Sequence, residues 1–284
     1  MKKDNTPLTQ RIVRTVYPVL EKVVPSLAHK WFIYIFFTPL RYEMPEKERD
    51  IAAKAFLSSM VVNGNKIQIY SWGEGPMVLL VHGWAGRGTQ FRKIIPALVK
   101  AGYRAVGFDG PAHGKSDGKQ TNISDFSDVL KQIIGKEGEP VAAIAHSFGG
   151  AATLFGIMNG LPIKRLINIA SPTIGDGIIG NFLRALNASA ASAKALKDYV
   201  LETTGKHFDY FSALHSVRNL PNPISLLVIH DENDRDVFIE HPIALLKVYP
   251  QAEFLRTSGL GHARILRDQK VIDTCLKFIR DGDL

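Results

Sequence analysis

The sequence predicts an α/β protein: a mostly parallel central sheet with helices on both faces. Two observations carry this. From about residue 66, short β-branched apolar runs alternate with stretches of helical period. Several runs, MVLLV (77–81) and SLLVI (225–229) among them, are apolar without alternation, as strands covered on both faces require. Size and composition agree with it. The chain has 284 residues, 45% hydrophobic and 22% charged, enough for one large α/β domain or two small ones. Such a chain buries roughly three quarters of its unfolded surface and needs no disulfide or metal to hold a core. Its one cysteine, Cys275, excludes an intramolecular disulfide framework and a Cys-built zinc site.

Residues 1–60 are expected as a helical extension. Within 1–41 there are seven basic residues (Lys2, Lys3, Arg11, Arg14, Lys22, Lys30, Arg41) and two acidic ones (Asp4, Glu21), so five of the eight excess positive charges lie here. Val13, Val16, Tyr17, Leu20, Val24, Leu27 and Trp31 recur at steps of three and four, the spacing of an amphipathic helix, which Pro18 and Pro25 should break or kink. The apolar stretch 31–40 is half the ~20 residues that would span a bilayer. Arg14 interrupts any signal-peptide core. Packing on the main domain, with Tyr34, Phe36 and Phe37 in the core, is favoured over membrane-surface contact.

Residues 61–284 hold the sheet. Strands are expected at 66–72, 77–83, 103–109, 141–147, 166–171, 225–231 and 252–258, with helices at 89–101, 121–135, 149–160, 239–248 and 268–280. The last helix carries a single apolar stripe that includes Cys275. Residues 173–222 break the rhythm: Ala-rich, helix-leaning and without a strand, they read as a lid over the carboxyl edge of the sheet, where open α/β sheets bind ligands.

The literal match to G-x-S-x-G, at Gly114–Gly118, lies in a Gly/Pro loop several residues past its strand. A nucleophile needs a strained turn from strand into helix, which lifts its hydroxyl clear of the sheet. Ser147, in Ala145-His146-Ser147-Phe148-Gly149, has that context: the apolar run VAAIA leads into it and GGAATLFGIM continues as a helix. A serine hydroxyl also needs a base, itself oriented by a third group. Downstream, the strand SLLVIH ends in the carboxylate cluster 231–236, and Gly259-Leu260-Gly261-His262 follows the last strand.

These features, in this order, resemble the α/β-hydrolase superfamily over roughly residues 60–282. His82-Gly83-Trp84 is similar to its oxyanion motif, and Asp109–Ser116 to its D-x-x-G-x-G-x-S loop, with Ala112 in place of the first glycine. His230-Asp231-x-x-Asp234-x-x-Val237 resembles its acid turn. The resemblance implies Ser147 as nucleophile, His262 as base and Asp234 as acid, with the backbone N–H groups of Trp84 and Phe148 as oxyanion donors. Asp231 and Asp176 stay open as alternative acids. His82 and His113 read as loop-shaping, and His146 as contacting structure behind the nucleophile.

The activity implied is cleavage of a carboxylic ester through an acyl-enzyme, on small or medium acyl chains. A thioesterase, an acyltransferase or a binding protein with a vestigial site are the alternatives. No cofactor or metal is expected, because no His/carboxylate set shows ligand spacing and the glycines at 83, 86 and 88 lack the G-K-[ST] of a phosphate loop. The cations lack the aromatic interleaving of a nucleic-acid binder. The expected partner is a small ester or thioester substrate, and the expected compartment is the cytoplasm.

Overall fold

Every expected apolar run becomes a strand of one sheet. The computed structural model describes residues 8–282; Lys2, Lys3 and Asp4, counted in the basic segment, lie outside them. The chain begins with helices α1 (Leu8–Val23), α2 (Pro25–Phe36) and α3 (Glu46–Ala53), then forms the hairpin β1 (Phe56–Val62) and β2 (Asn65–Trp72). Thereafter strands and helices alternate: β3 (Met77–Val81), α4 (Ile94–Lys100), β4 (Arg104–Phe108), α5 (Ile123–Glu137), β5 (Ala142–His146), α6 (Phe148–Met158) and β6 (Arg165–Ile169). The segment 173–222 is helical, with α7 (Gly175–Leu186), α8 (Ala190–Thr204) and α9 (Ala213–Arg218). β7 (Ser225–Asp231), α10 (Glu240–Val248), β8 (Glu253–Thr257), the short α11 (Gly261–Arg264) and α12 (Gln269–Arg280) complete the fold.

Among the described residues the sheet has eight strands in the order β1-β2-β4-β3-β5-β6-β7-β8. β2 runs antiparallel to both its neighbours, β1 and β4, and the remaining pairs are parallel, as β–α alternation demands. Side chains alternate between two cores. Leu79, Val81, Ala143, Ala145, Leu166 and Val228 face α5, α6 and α9. Val78, Leu80, Ile144, Ile167 and Ile229 face α4 and α12, where Cys275 is fully buried and its thiol pushed up to about 12 by desolvation.

Three features depart from the expected reading. β1 was not expected, and the boundary placed at 60/61 falls inside it; its strand pattern is weak because most of its side chains are exposed. α1 runs through Pro18 unbroken, and the chain breaks at Val24, with Pro25 at the first turn of α2, where its missing N–H costs nothing. Tyr34 is half-exposed and not core.

α1 and α2 pack on α7 and α8 through a third apolar cluster built on Tyr17, Ala28, Phe32, Ile179, Leu186, Leu196 and Val200. Phe182 meets Phe32 and Phe36 edge-on at 5.0 and 5.2 Å. The Tyr17 hydroxyl donates to the Ala28 carbonyl, and Glu21 accepts from the Ser189 N–H and from the Ser189 and Ser192 hydroxyls. Among the described residues no helix is long and apolar enough to cross a membrane.

Candidate active site

Ser147 stands between the central strand β5 and α6 at φ 53°, ψ −126°, the left-handed side of the map that side chains rarely adopt. The neighbours enforce it. A Cβ at Gly149 would lie 2.5 Å from the His82 carbonyl oxygen and closer still to that of Val81, and a Cβ at Gly83 would lie 2.8 Å from that of Ser147. Ser147 makes no side-chain capping bond to α6 although it is the N-cap residue. Its hydroxyl instead lies 3.0 Å from Nε2 of His262, whose Nδ1–H donates to Oδ2 of Asp234 at 2.7 Å.

Asp234 is buried, and its Oδ1 accepts from the N–H groups of Asp236 (2.8 Å) and Val237 (3.0 Å). Burial alone would raise its pKa. The hydrogen bond and positive field of His262, with the two backbone donors, outweigh that and hold the carboxyl below its ordinary range. An ionised Asp234 fixes the proton on Nδ1 of His262 and leaves Nε2 bare to accept from Ser147.

The two alternative acids are engaged elsewhere. Buried Asp231 accepts from Thr257 Oγ1, the Asn233 N–H and the Leu260 N–H, and so shapes the loop that carries His262. Asp176, on α7, pairs with Lys197 at 2.6 Å with most of its side chain in solvent. The literal-match serine, Ser116, is buried in the D-x-x-G-x-G-x-S loop: it donates to the Asp109 carbonyl and accepts from the Gln68 N–H.

Of the two donors expected for the oxyanion, Phe148 follows the serine in the chain and Trp84 follows Gly83, which lies against the serine's Cβ. Phe148 opens α6, so its N–H has no acceptor within the helix. Trp84 sits in a tight turn closed by Gly86 N–H to the Gly83 carbonyl, with Ala85 at φ 55°. Neutral histidines hold this turn in place. His113 accepts the Ala85 N–H on Nε2 and donates from Nδ1 to the Pro111 carbonyl; His82 donates to the Gly83 carbonyl and accepts the Gly110 N–H. Burial first, then nearby positive groups, pushes His82 down to about 4 and His113 to about 3. The Trp84 and Phe148 rings meet edge-on at 5.2 Å.

One contact was not legible beforehand. His146 donates from Nε2 to the backbone carbonyl of His262 (2.9 Å), and Gln90 Nε2 donates to its Nδ1 (3.2 Å). Desolvation, then the neighbouring His262, pushes His146 down to about 3, so it is a neutral donor. No periodicity could have linked Gln90, His146 and His262, because the link forms only when two loops meet over β5.

Asp234, Asp236 and His262 also bring ligand-type atoms within 4.8 Å of one another, a grouping that sequence spacing did not show. Asp234 and Nδ1 of His262 are already bonded to each other, so a cation there would have to break that bond. The geometry offers a hydroxyl, an imidazole and a carboxylate in one hydrogen-bonded line, an arrangement able to move the hydroxyl proton.

A family model described as "Alpha/beta hydrolase family" matches residues 78–274. The chain is 25% identical over 225 residues to the pimeloyl-[acyl-carrier protein] methyl ester esterase of Vibrio atlanticus (strain LGP32), spanning 69% of this chain and 81% of that one. Among solved structures it resembles an esterase of Pyrococcus furiosus (TM-score 0.65, 18% identity, 86% of this chain and 98% of that one). It also resembles an esterase of Exiguobacterium antarcticum (TM-score 0.61, 16% identity, 79% and 100%).

Proposed function

Since the chain belongs to the alpha/beta hydrolase family, we propose that it is a serine hydrolase that cleaves carboxylic esters through an acyl-enzyme on Ser147. The observation that carries this is the unbroken line from the Ser147 hydroxyl through the His262 imidazole to the Asp234 carboxylate, with gaps of 3.0 and 2.7 Å.

Ser147 Oγ attacks the ester carbonyl carbon while Nε2 of His262 takes its proton. The carbonyl oxygen becomes an oxyanion between the N–H groups of Trp84 and Phe148, each worth about 3 kcal/mol in the transition state. The tetrahedral centre collapses, the C–O bond to the alcohol breaks, and His262 returns the proton to the leaving oxygen. Water then repeats the sequence on the acyl-enzyme and releases the acid. Asp234 stays ionised throughout and stabilises the imidazolium.

Residues 173–222 act as the lid of the hydrolase domain, which begins with β1 at Phe56, and the helices α1 to α3 before it form its extension. Ile179, Phe182 and Leu186 of that lid are committed to packing on α1 and α2. This favours a small or medium acyl group over a long one. The relative from Vibrio is named for a methyl ester, which supports an ester over other acyl bonds. The one cysteine, buried and unpaired, fits a cytoplasmic enzyme.

Labelling with a fluorophosphonate tests the nucleophile. Label lost in Ser147→Ala and retained in Ser116→Ala is the expected outcome, and label persisting in Ser147→Ala overturns the proposal. A chain-length series of p-nitrophenyl esters and matched thioesters then separates an esterase from a thioesterase. Efficient acyl transfer to an added alcohol in place of water would mark an acyltransferase.

A further inference from the structure

α1 and α2 are apolar on two sides, and only one side is used inside the molecule. Tyr17, Ala28 and Phe32 are fully buried against α7 and α8. Val16, Val19 and Val23, three and four residues apart on α1, form a second stripe that faces solvent, and Val24 and Leu27 continue it around the break into α2. Val19, Val23 and Leu27 keep 61%, 72% and 54% of their surface exposed. Of the seventeen exposed large apolar side chains among the described residues, six fall within residues 16–34, so the patch is a concentration and not scatter.

The charged side chains that α1 and α2 place beside this patch have one sign: Lys22 and Lys30, both exposed. The one acidic residue of α1 and α2, Glu21, is turned inward onto Ser189 and Ser192. Tyr34, half-exposed and seven residues after Leu27, lies on the same side of α2 as Leu27 and Lys30, with an apolar ring and a polar tip suited to a headgroup layer. An apolar stripe of this width beside cations, on helices too short to span, is the form of a segment that lies in the plane of a lipid surface.

We propose that the outer face of α1 and α2 docks on an anionic phospholipid bilayer: Val16, Val19, Val23, Val24 and Leu27 enter the acyl boundary while Lys22 and Lys30 meet lipid phosphates. Because the opposite face of the same helices is fastened to α7 and α8, the docked protein carries the lid segment with it. The proposal is independent of the chemistry at Ser147.

The test is co-sedimentation of the full chain with vesicles of phosphatidylcholine alone or containing about one third phosphatidylserine. Binding is expected on the anionic vesicles only, weakening as salt rises from about 0.1 to about 0.5 M. Lys22→Gln and Lys30→Gln should each lower the partition about fivefold. Val19→Asp with Val23→Asp should lower it at least about tenfold. These positions are exposed, so the melting temperature of each variant should match the parent. Ser147→Ala should bind as the parent does.

Absence of binding to anionic vesicles overturns the proposal, as does binding that the valine variants leave unchanged. A dimer in light scattering that Val19→Asp dissolves would assign the face to a second copy of the chain and overturn it equally.

Discussion

Replacing His146 by Ala removes the donor that ties the His262 backbone to the strand end carrying the nucleophile. Two losses add up in stability. The His262 carbonyl is left without its partner, costing about 1–3 kcal/mol, and the void of a buried imidazole costs about another 1–2 kcal/mol. The larger effect is expected in turnover. His262 reaches Ser147 across 3.0 Å, and a displacement of about 1 Å in such a pair lowers kcat about 10²-fold.

His146→Gln, whose side-chain amide can also donate to that carbonyl and meet Gln90, should recover most of the loss. Since His146 is pushed down to about 3 by burial and by His262, it carries no charge across the working range. The loss should therefore be uniform in pH, with KM changing less than kcat. Hydrolysis of a short p-nitrophenyl ester from pH 5.5 to 9, with thermal unfolding of each variant, measures all of this. A kcat for His146→Ala within about twofold of the parent refutes the positioning role, because that corresponds to less than 0.5 kcal/mol. A shifted acid limb with an undiminished plateau refutes it too.

Asp234→Asn should lower kcat by about 10⁴-fold by stabilising the wrong tautomer of His262, whereas Asp176→Asn, which loses only an exposed ion pair, should leave turnover unchanged. Ser116→Ala should keep its activity per folded molecule yet lose about 1–3 kcal/mol of stability, read by denaturant unfolding, because the Gln68 N–H and the Asp109 carbonyl lose their partner. Stability should fall on acidification. His82, His113, His146 and His241, all held at about 3 to 4 chiefly by burial, are neutral when folded, while in the unfolded chain each titrates near 6.5. Below that value protons favour the unfolded chain, so stability is unaffected above about pH 6.5 and falls toward pH 4, by about 2 kcal/mol per imidazole at pH 5. Melting temperatures from pH 7.5 to 5 check it, and His241→Asn should flatten the slope. Phe32→Ala should cost about 3–5 kcal/mol, since its ring fills the cluster between α2 and α7.

The parallel sheet was legible because its strands are covered on both faces, which forces uninterrupted apolar runs such as MVLLV and SLLVI. β1 was not legible for the opposite reason: an edge strand with mostly exposed side chains carries no such run. Ser147 was legible through its context, a buried strand running into a helix with small residues at 145 and 149. The structure adds the physical reason for Gly149, whose Cβ would strike the backbone of β3 and His82.

Chain order pointed to Asp234 and His262 but left Asp231 and Asp176 open. The acid-turn resemblance favours Asp234 among the three carboxylates, but no sequence spacing shows what each one accepts. They differ in what each oxygen accepts: Asp234 accepts Nδ1–H of His262, Asp231 the loop before it, and Asp176 a lysine.

From composition and periodicity alone the chain was bound to be an α/β protein with a helix-forming, basic amino-terminal segment, because local spacing determines which face of each element avoids water. Only the tertiary structure decided which apolar face of α1 and α2 is buried on α7 and α8 and which is left outward. It alone decided, too, that His146 holds the His262 loop. Both depend on contacts between segments more than a hundred residues apart, and such contacts leave no period in the chain.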